Sequence, residues 1–268
     1  MRLLVSVASA TEASAALAGG ADIIDAKNPL AGALGAVSTN VLREIHSAVR
    51  GARPLTAALG DAADEAAIEC AARVFAATGA TLVKVGFAGI DRADRAVTLA
   101  TAAVRGARGG SRGCAGVIVV AYADADSAAS LPPAVLAAVG RRAGAAGVLL
   151  DTADKTGPGL RALLDARALA AWVAAAHGCG LLVALAGKLA AGDLAFVRQA
   201  RADIAGVRGA ACDGGRTGRV TAQRVADLRA LCRRSLGLRC VSAGRGPTVT
   251  RAARIAERRD SRPEQSRR

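Results

Sequence analysis

Eight short apolar runs alternate with eight Ala-rich helical stretches, and this alternation limits the fold more than any other feature of the sequence. The runs cover residues 3–7, 22–25, 55–59, 81–87, 117–122, 147–151, 181–185 and 204–207. The helical stretches between and after them cover 11–18, 41–49, 63–77, 92–105, 133–140, 168–176, 192–200 and 220–232. Near-continuous apolar strands predict a sheet buried on both faces, hence parallel strands with helical crossovers. A doubly wound sheet is the rival architecture. Eight units in about 235 residues without a break in composition favour an α/β fold of one closed (β/α)8 TIM barrel. Ser38, Thr39 and Asn40 mark one helix start, and Pro132 and Pro133 mark another.

Composition narrows the function. Aromatic residues make up only 2% of the 268, so the core is built from Ala, Val, Leu and Ile. No apolar run reaches the roughly 18 residues of a membrane helix. The opening MRLLVSVASA has the look of a secretory signal but is too short, and reads as a first strand. The expected location is cytoplasmic. The six cysteines are scattered with no C-x-x-C pair, which argues against a disulfide framework or a zinc site. The only histidines, His46 and His177, fall in predicted helices, so no metal is expected. No G-x-G-x-x-G follows a strand, so no nicotinamide cofactor is indicated, and no other cofactor is expected.

The formal net charge is +14, much of it near the C-terminus: residues 243–268 carry eight Arg against three acidic residues. The expected organisation is a catalytic barrel over 1–240 and a basic, disordered tail over 241–268. No stripe of basic and aromatic residues reads as a nucleic-acid groove, so neither nucleic acid nor membrane is an expected partner. Homo-oligomerisation is left open.

Among 36 basic residues only four are lysine: Lys27, Lys84, Lys155 and Lys188. Arginine supplies positive charge equally well, but a guanidinium neither loses its proton nor forms an imine. All four lysines map to C-terminal ends of predicted strands or just inside them, which is the active-site face of a barrel. Strand alternation puts Ile23, Asp25 and Lys27 on one face. It turns Leu82, Lys84 and Gly86 inward, with Val83, Val85 and Phe87 toward the helices. Asp25 and Asp151 end their strands and are the candidate partners of a buried amine; structural salt bridges are the alternative role. A buried or cation-crowded lysine has a lowered pKa, so its neutral amine can attack a carbonyl while a neighbouring group moves protons.

Loops after strands seven and eight are the usual phosphate cradle of this barrel. Here they offer Gly187, Lys188, Arg208, Gly209, Gly214, Gly215 and Arg216, glycines for close backbone approach and cations for charge. The stretch 28–35 after Lys27 is long and small-residued, and reads as a lid or a second ligand loop.

These residues carry a resemblance. GGADIIDAKNPLAGALGAVS, TAALGD, GATLVKVGF, GVLLDTADKTGPGL, LAGKLAAGDL and GVRGAACDGGRTGRV, spanning residues 19 to about 220, resemble the (5-formylfuran-3-yl)methyl phosphate synthase family of methanofuran biosynthesis. The resemblance implies an aldolase-like barrel without metal. It implies that two molecules of glyceraldehyde 3-phosphate, a phosphorylated triose, condense to 4-(hydroxymethyl)-2-furancarboxaldehyde phosphate with loss of one phosphate and two waters. It matches Lys27 to the Schiff-base lysine, Lys84 to the proton-transferring one, and Asp25, Asp151 and Lys155 to supporting catalytic groups. The chain departs from the family pattern mainly after Val241. Its Ala and Arg richness suggests a bacterium, and the resemblance then implies a methylotroph. Another Schiff-base aldolase acting on phosphorylated sugars is the alternative.

Overall fold

The computed structural model describes residues 1–233; the expected basic tail, 241–268, lies outside them. Eight parallel strands close into a barrel: β1 (Arg2–Val7), β2 (Ile23–Ala26), β3 (Leu55–Asp61), β4 (Leu82–Gly86), β5 (Gly116–Tyr122), β6 (Gly147–Asp151), β7 (Leu182–Leu185) and β8 (Ile204–Val207). Closure is made by β8 against β1, with Arg2 opposite Ile204 and Val5 opposite Val207. The N-terminal run is thus a strand, as its pattern predicts. No helix among the described residues is long and apolar enough to cross a membrane.

The helices are α1 (Ala10–Ala18), α2 (Thr39–Val49), α3 (Glu65–Ala77), α4 (Ala93–Gly110), α5 (Pro133–Ala143), α6 (Leu160–Leu163), α7 (Ala166–Gly178), α8 (Leu194–Gln199) and α9 (Ala222–Arg233). Short polar side chains start several of them by accepting an orphan N–H. Ser9 accepts from Glu12 N, Asp64 from Ala67 N at 2.8 Å, and Asp165 from Ala168 N at 2.7 Å. Two stretches differ from the pattern-based reading. The four-residue α6 precedes α7, and α8 is shorter than expected because a 3-10 turn, Ala191–Asp193, takes its first residues. Neither piece is long enough to show a 3.6-residue period.

With so few aromatics, the shell closes by bringing backbones together. A Cβ at Gly106 of α4 would lie 2.1 Å from Glu69 O of α3, and one at Gly110 would lie 2.1 Å from Arg73 O. The strands bury two faces. Val83, Val85 and Phe87 join the helix-facing core, while Leu4, Ile23, Ile118, Val120, Leu149 and Ile204 fill the barrel interior. This alternation puts polar residues of the strand ends into an otherwise apolar interior.

Candidate active site

A cavity of about 300 Å³ opens at the C-terminal ends of the strands. Its floor is Leu4, Leu82, Ile118, Leu149, Leu182 and Ile204, all inward-facing strand residues. Room on one side comes from Ala184, Ala186 and Gly206, whose side chains are too small to meet across the axis. Lys27, Lys84, Lys155, Lys188, Arg208 and Arg216 line it, with Asp151 as the one lining carboxylate among the described residues. A cavity so biased in charge concentrates anions.

Asp25 anchors the deepest layer. It is fully buried, and its neighbours in the sheet register are Ser6 on β1 and Thr56 on β3. Both hydroxyls donate to it at 2.7 Å, to Oδ2 and Oδ1 respectively. The Lys84 ammonium lies 2.6 Å from Asp25 Oδ2. The carboxylate therefore has three partners and the buried amine has a counter-charge, which is the condition for burying either.

Asp151 closes β6 and serves two amines. Its Oδ1 accepts from Lys155 Nζ at 2.7 Å and from Thr152 N at 2.8 Å, while Oδ2 lies 3.7 Å from Lys27 Nζ. Burial on its own raises the Asp151 pKa, but the charges of Lys155 and Lys27 and the two hydrogen bonds outweigh it and hold the group at about 2. Lys155 Nζ also donates to Thr152 O at 2.5 Å. Asp124 steadies the loop that carries it, accepting from Ala153 N at 2.7 Å and Asp154 N at 2.9 Å.

Lys27 is held differently. Its separation from Asp151 exceeds hydrogen-bond length. Burial pushes its pKa down to about 8; Asp151 opposes the shift, and the Lys84 and Lys155 charges add to it. At pH 7 that leaves about one amine in ten neutral, against about one in three thousand for an ordinary lysine at 10.5.

The expected phosphate residues divide. Gly187, Lys188 and Gly209 line the cavity, and the N–H groups of Gly187, Lys188, Gly209 and Ala210 take no backbone carbonyl partner among the described residues. Gly187 has φ +96 and Lys188 has φ 58, so the chain turns sharply at the lip. Lys188 Nζ rests on the carbonyls of Thr156 and Gly157. Arg208 lines the cavity but is committed elsewhere. It clasps Glu12 through two hydrogen bonds of 2.7 and 3.1 Å and donates to Ser6 O, Arg216 O and Gly218 O. Arg216 donates to Pro29 O and, at 2.7 Å, to Gly32 O. Gly214 and Gly215 do not line the cavity. With φ +83 and +75 they turn a hairpin between β9 (Cys212–Asp213) and β10 (Arg219–Val220). Neither histidine lines it.

Sequence reasoning passed over Ser6, Thr56 and Glu12. The first two were recoverable: each is a lone hydroxyl at an inward position of an apolar strand. Glu12 gave no such sign, because its partner is 196 residues away. Asp61 and Tyr122 were also missed. The Tyr122 hydroxyl donates to Asp61 Oδ1 at 2.6 Å across the β3–β5 side of the mouth, over Gly86, where a Cβ would lie 2.2 Å from that oxygen.

Fold and site together define an aldolase-like (β/α)8 barrel enzyme. Solved structures of the same fold include 3-hexulose-6-phosphate synthase, with TM-score 0.59 and 22% identity over 86% of this chain and 99% of that one. KGPDC from Streptococcus mutans superposes with TM-score 0.61 at 15% identity, covering 86% of this chain and 96% of that one. The 4-HFC-P synthase family model matches residues 3–229. The chain is 36% identical over 236 residues to the (5-formylfuran-3-yl)methyl phosphate synthase of Methanosarcina barkeri, covering 87% of this chain and 99% of that protein. Identity to the enzyme of the same name from Methanocaldococcus jannaschii is also 36% over 236 residues, covering 87% of this chain and all of that protein. A Streptomyces griseus protein is 40% identical over 235 residues, 86% of this chain and 94% of its own length. The chain belongs to the 4-HFC-P synthase family.

Proposed function

We propose that this protein condenses two molecules of glyceraldehyde 3-phosphate to (5-formylfuran-3-yl)methyl phosphate, releasing one phosphate and two waters, as a lyase-type step of methanofuran biosynthesis. The observation that carries the reading is the Lys27 amine: 11% exposed, lowered to about 8, and facing a carboxylate at 3.7 Å inside an electropositive cavity. The names of the relatives supply the product.

In this reading neutral Lys27 Nζ adds to the aldehyde carbon of one triose, and loss of water gives an imine. Asp151, ionised throughout the neutral range, stabilises the protonated imine. The imine acidifies the adjacent C–H, and Lys84, held by Asp25, moves that proton. The resulting enamine expels phosphate from its C3 and leaves an enol, whose C3 bonds to C2 of the second triose after proton transfer has moved that triose's carbonyl from C1 to C2. The C1 hydroxyl of the second triose closes on C2 of the first, two waters leave as the ring becomes a furan, and hydrolysis of the imine frees the formyl group and returns the amine. The free N–H groups after β7 and β8, with the Lys188 ammonium, are the proposed phosphate contacts.

Borohydride trapping tests the central step. The protein is incubated with glyceraldehyde 3-phosphate, reduced and digested, and the added mass is located. An adduct on Lys27 is expected. An adduct on Lys84 or Lys155 reverses the assigned roles. No adduct, in a folded sample that binds the substrate, removes imine chemistry. Absorbance of a conjugated furan aldehyde in the product separates this synthase from an aldolase releasing an open-chain sugar.

A further inference from the structure

The segment Asn28–Gly35 leaves β2 directly after Lys27 and folds into a closed strap at the C-terminal end of the barrel. Its two ends meet, with Asn28 N donating to Gly35 O at 2.8 Å. The Asn28 side chain accepts from Leu30 N at 3.0 Å, and Asn28 O accepts from Ala31 N. A Cβ on Gly35 would lie 2.4 Å from Asn28 O, so only glycine lets the ends approach this closely. Near its end the strap drops Leu34, 2% exposed, into the barrel interior alongside Tyr122. Its tip has no such anchor: Leu30 is 79% exposed, and nothing lies within 4 Å of a Cβ placed on Gly32. Among the described residues, what grips the tip is one side chain from far along the sequence. The Arg216 guanidinium donates through Nη1 to Pro29 O and through Nη2 to Gly32 O. The same guanidinium lines the cavity. Arg208, whose Nε donates to Arg216 O at 2.9 Å, fixes its backbone and is itself clasped by Glu12.

We propose that Arg216 is a positioning residue for Lys27: it latches the strap and so holds the Lys27 amine over the cavity. The proposal rests on Lys27 being the reacting amine, as argued above. A planar guanidinium reaches two carbonyls three residues apart with separate N–H groups, whereas an ammonium is a point donor on a flexible stem. Lysine at this position therefore keeps the charge and loses the span. With the tip released, the strap keeps only its stem and Leu34, and Lys27, two residues before Pro29, loses the restraint on its backbone. The reaction suffers because a reactive amine displaced by about 1 Å loses on the order of a hundredfold in rate.

The test compares wild type with Arg216→Lys, Arg216→Met and Gly32→Ala. The last loosens the strap from its own side, because Gly32 has φ +81, where a side chain is strained. Hydrogen exchange followed by mass spectrometry reads the strap, and borohydride trapping with glyceraldehyde 3-phosphate reads the amine. All three variants are expected to exchange the amides of Leu30 and Ala31 at least tenfold faster, while peptides from the barrel strands stay at wild-type rates. Trapping at Lys27 is expected to slow by tenfold or more at saturating substrate, with Arg216→Lys no better than Arg216→Met. Unchanged exchange in the strap overturns the latch. A loosened strap with trapping at the wild-type rate overturns the positioning role, as does full rescue by lysine. If wild type itself gives no adduct, it is the imine reading that fails, and exchange alone then decides the latch. A variant whose barrel-strand peptides also exchange faster reports general destabilisation, and Gly32→Ala, at a residue that does not line the cavity, then decides.

Discussion

Lys27 and Lys84 are the same residue under different constraints. Lys84 is locked to Asp25 at 2.6 Å, while Lys27 faces Asp151 at 3.7 Å without a hydrogen bond. The first arrangement suits a group that shuttles a proton and returns to its partner; the second suits one that must leave to form a covalent bond. Lys27→Arg is expected to remove trapping and turnover while leaving the fold intact, because guanidinium cannot form an imine. Lys84→Arg is expected to leave substrate binding and to lower turnover by about 10²–10⁴-fold, the usual worth of a positioned proton-transfer group. Trapping at Lys27 is expected to speed up as pH rises through about 8, where the neutral amine becomes the main form. Stability has its own dependence. Asp151 sits at about 2 in the folded chain against 3.8 ordinarily, so its contribution is present above about 4 and lost as pH falls through about 2. The loss is on the order of 2 kcal/mol and is read from urea midpoints between pH 7 and pH 2; Asp151→Asn is expected to flatten that profile. The inward placement of Asp25 and Lys84 was legible from strand alternation alone. The clamps on Asp25 were legible only in part, as unexplained hydroxyls at Ser6 and Thr56.

Elements were readable in proportion to their length. The strands followed the pattern to within a few residues, because each is an apolar run bounded by small or polar residues. The four residues of α6 and the 3-10 turn before α8 are too short to repeat a helical period, so they were not seen. The packing of α3 on α4 was not legible either, although Gly106 and Gly110 sit four apart on one face. That spacing has meaning only when a partner backbone arrives, as Glu69 O and Arg73 O do. Gly106→Ala puts a methyl carbon 2.1 Å from Glu69 O, a backbone atom that cannot rotate away. The expected cost is about 1–3 kcal/mol, seen as a lowered thermal midpoint, even though alanine is the better helix former.

At the scale of the whole molecule, the barrel closes and α9 is in place within residues 1–233. Deleting residues 241–268 is therefore expected to leave turnover and thermal midpoint at their full-length values; a loss of either shows that the barrel depends on that stretch. The sequence by itself determined the period and facing of the strands, the scarcity of lysine, and the motifs that mark the family. These are local properties, set by which neighbours lie two, four or seven residues along the chain. Only the tertiary structure decided what each candidate phosphate residue touches. Arg208 meets Glu12 and Arg216 meets the strap, while both line the cavity. Gly214 and Gly215 turn the hairpin between β9 and β10 and do not line the cavity. The physical reason is common to all three: a side chain's hydrogen-bonding capacity is filled by whatever the fold brings within about 3 Å, and those partners lie too far along the chain for any local pattern to register.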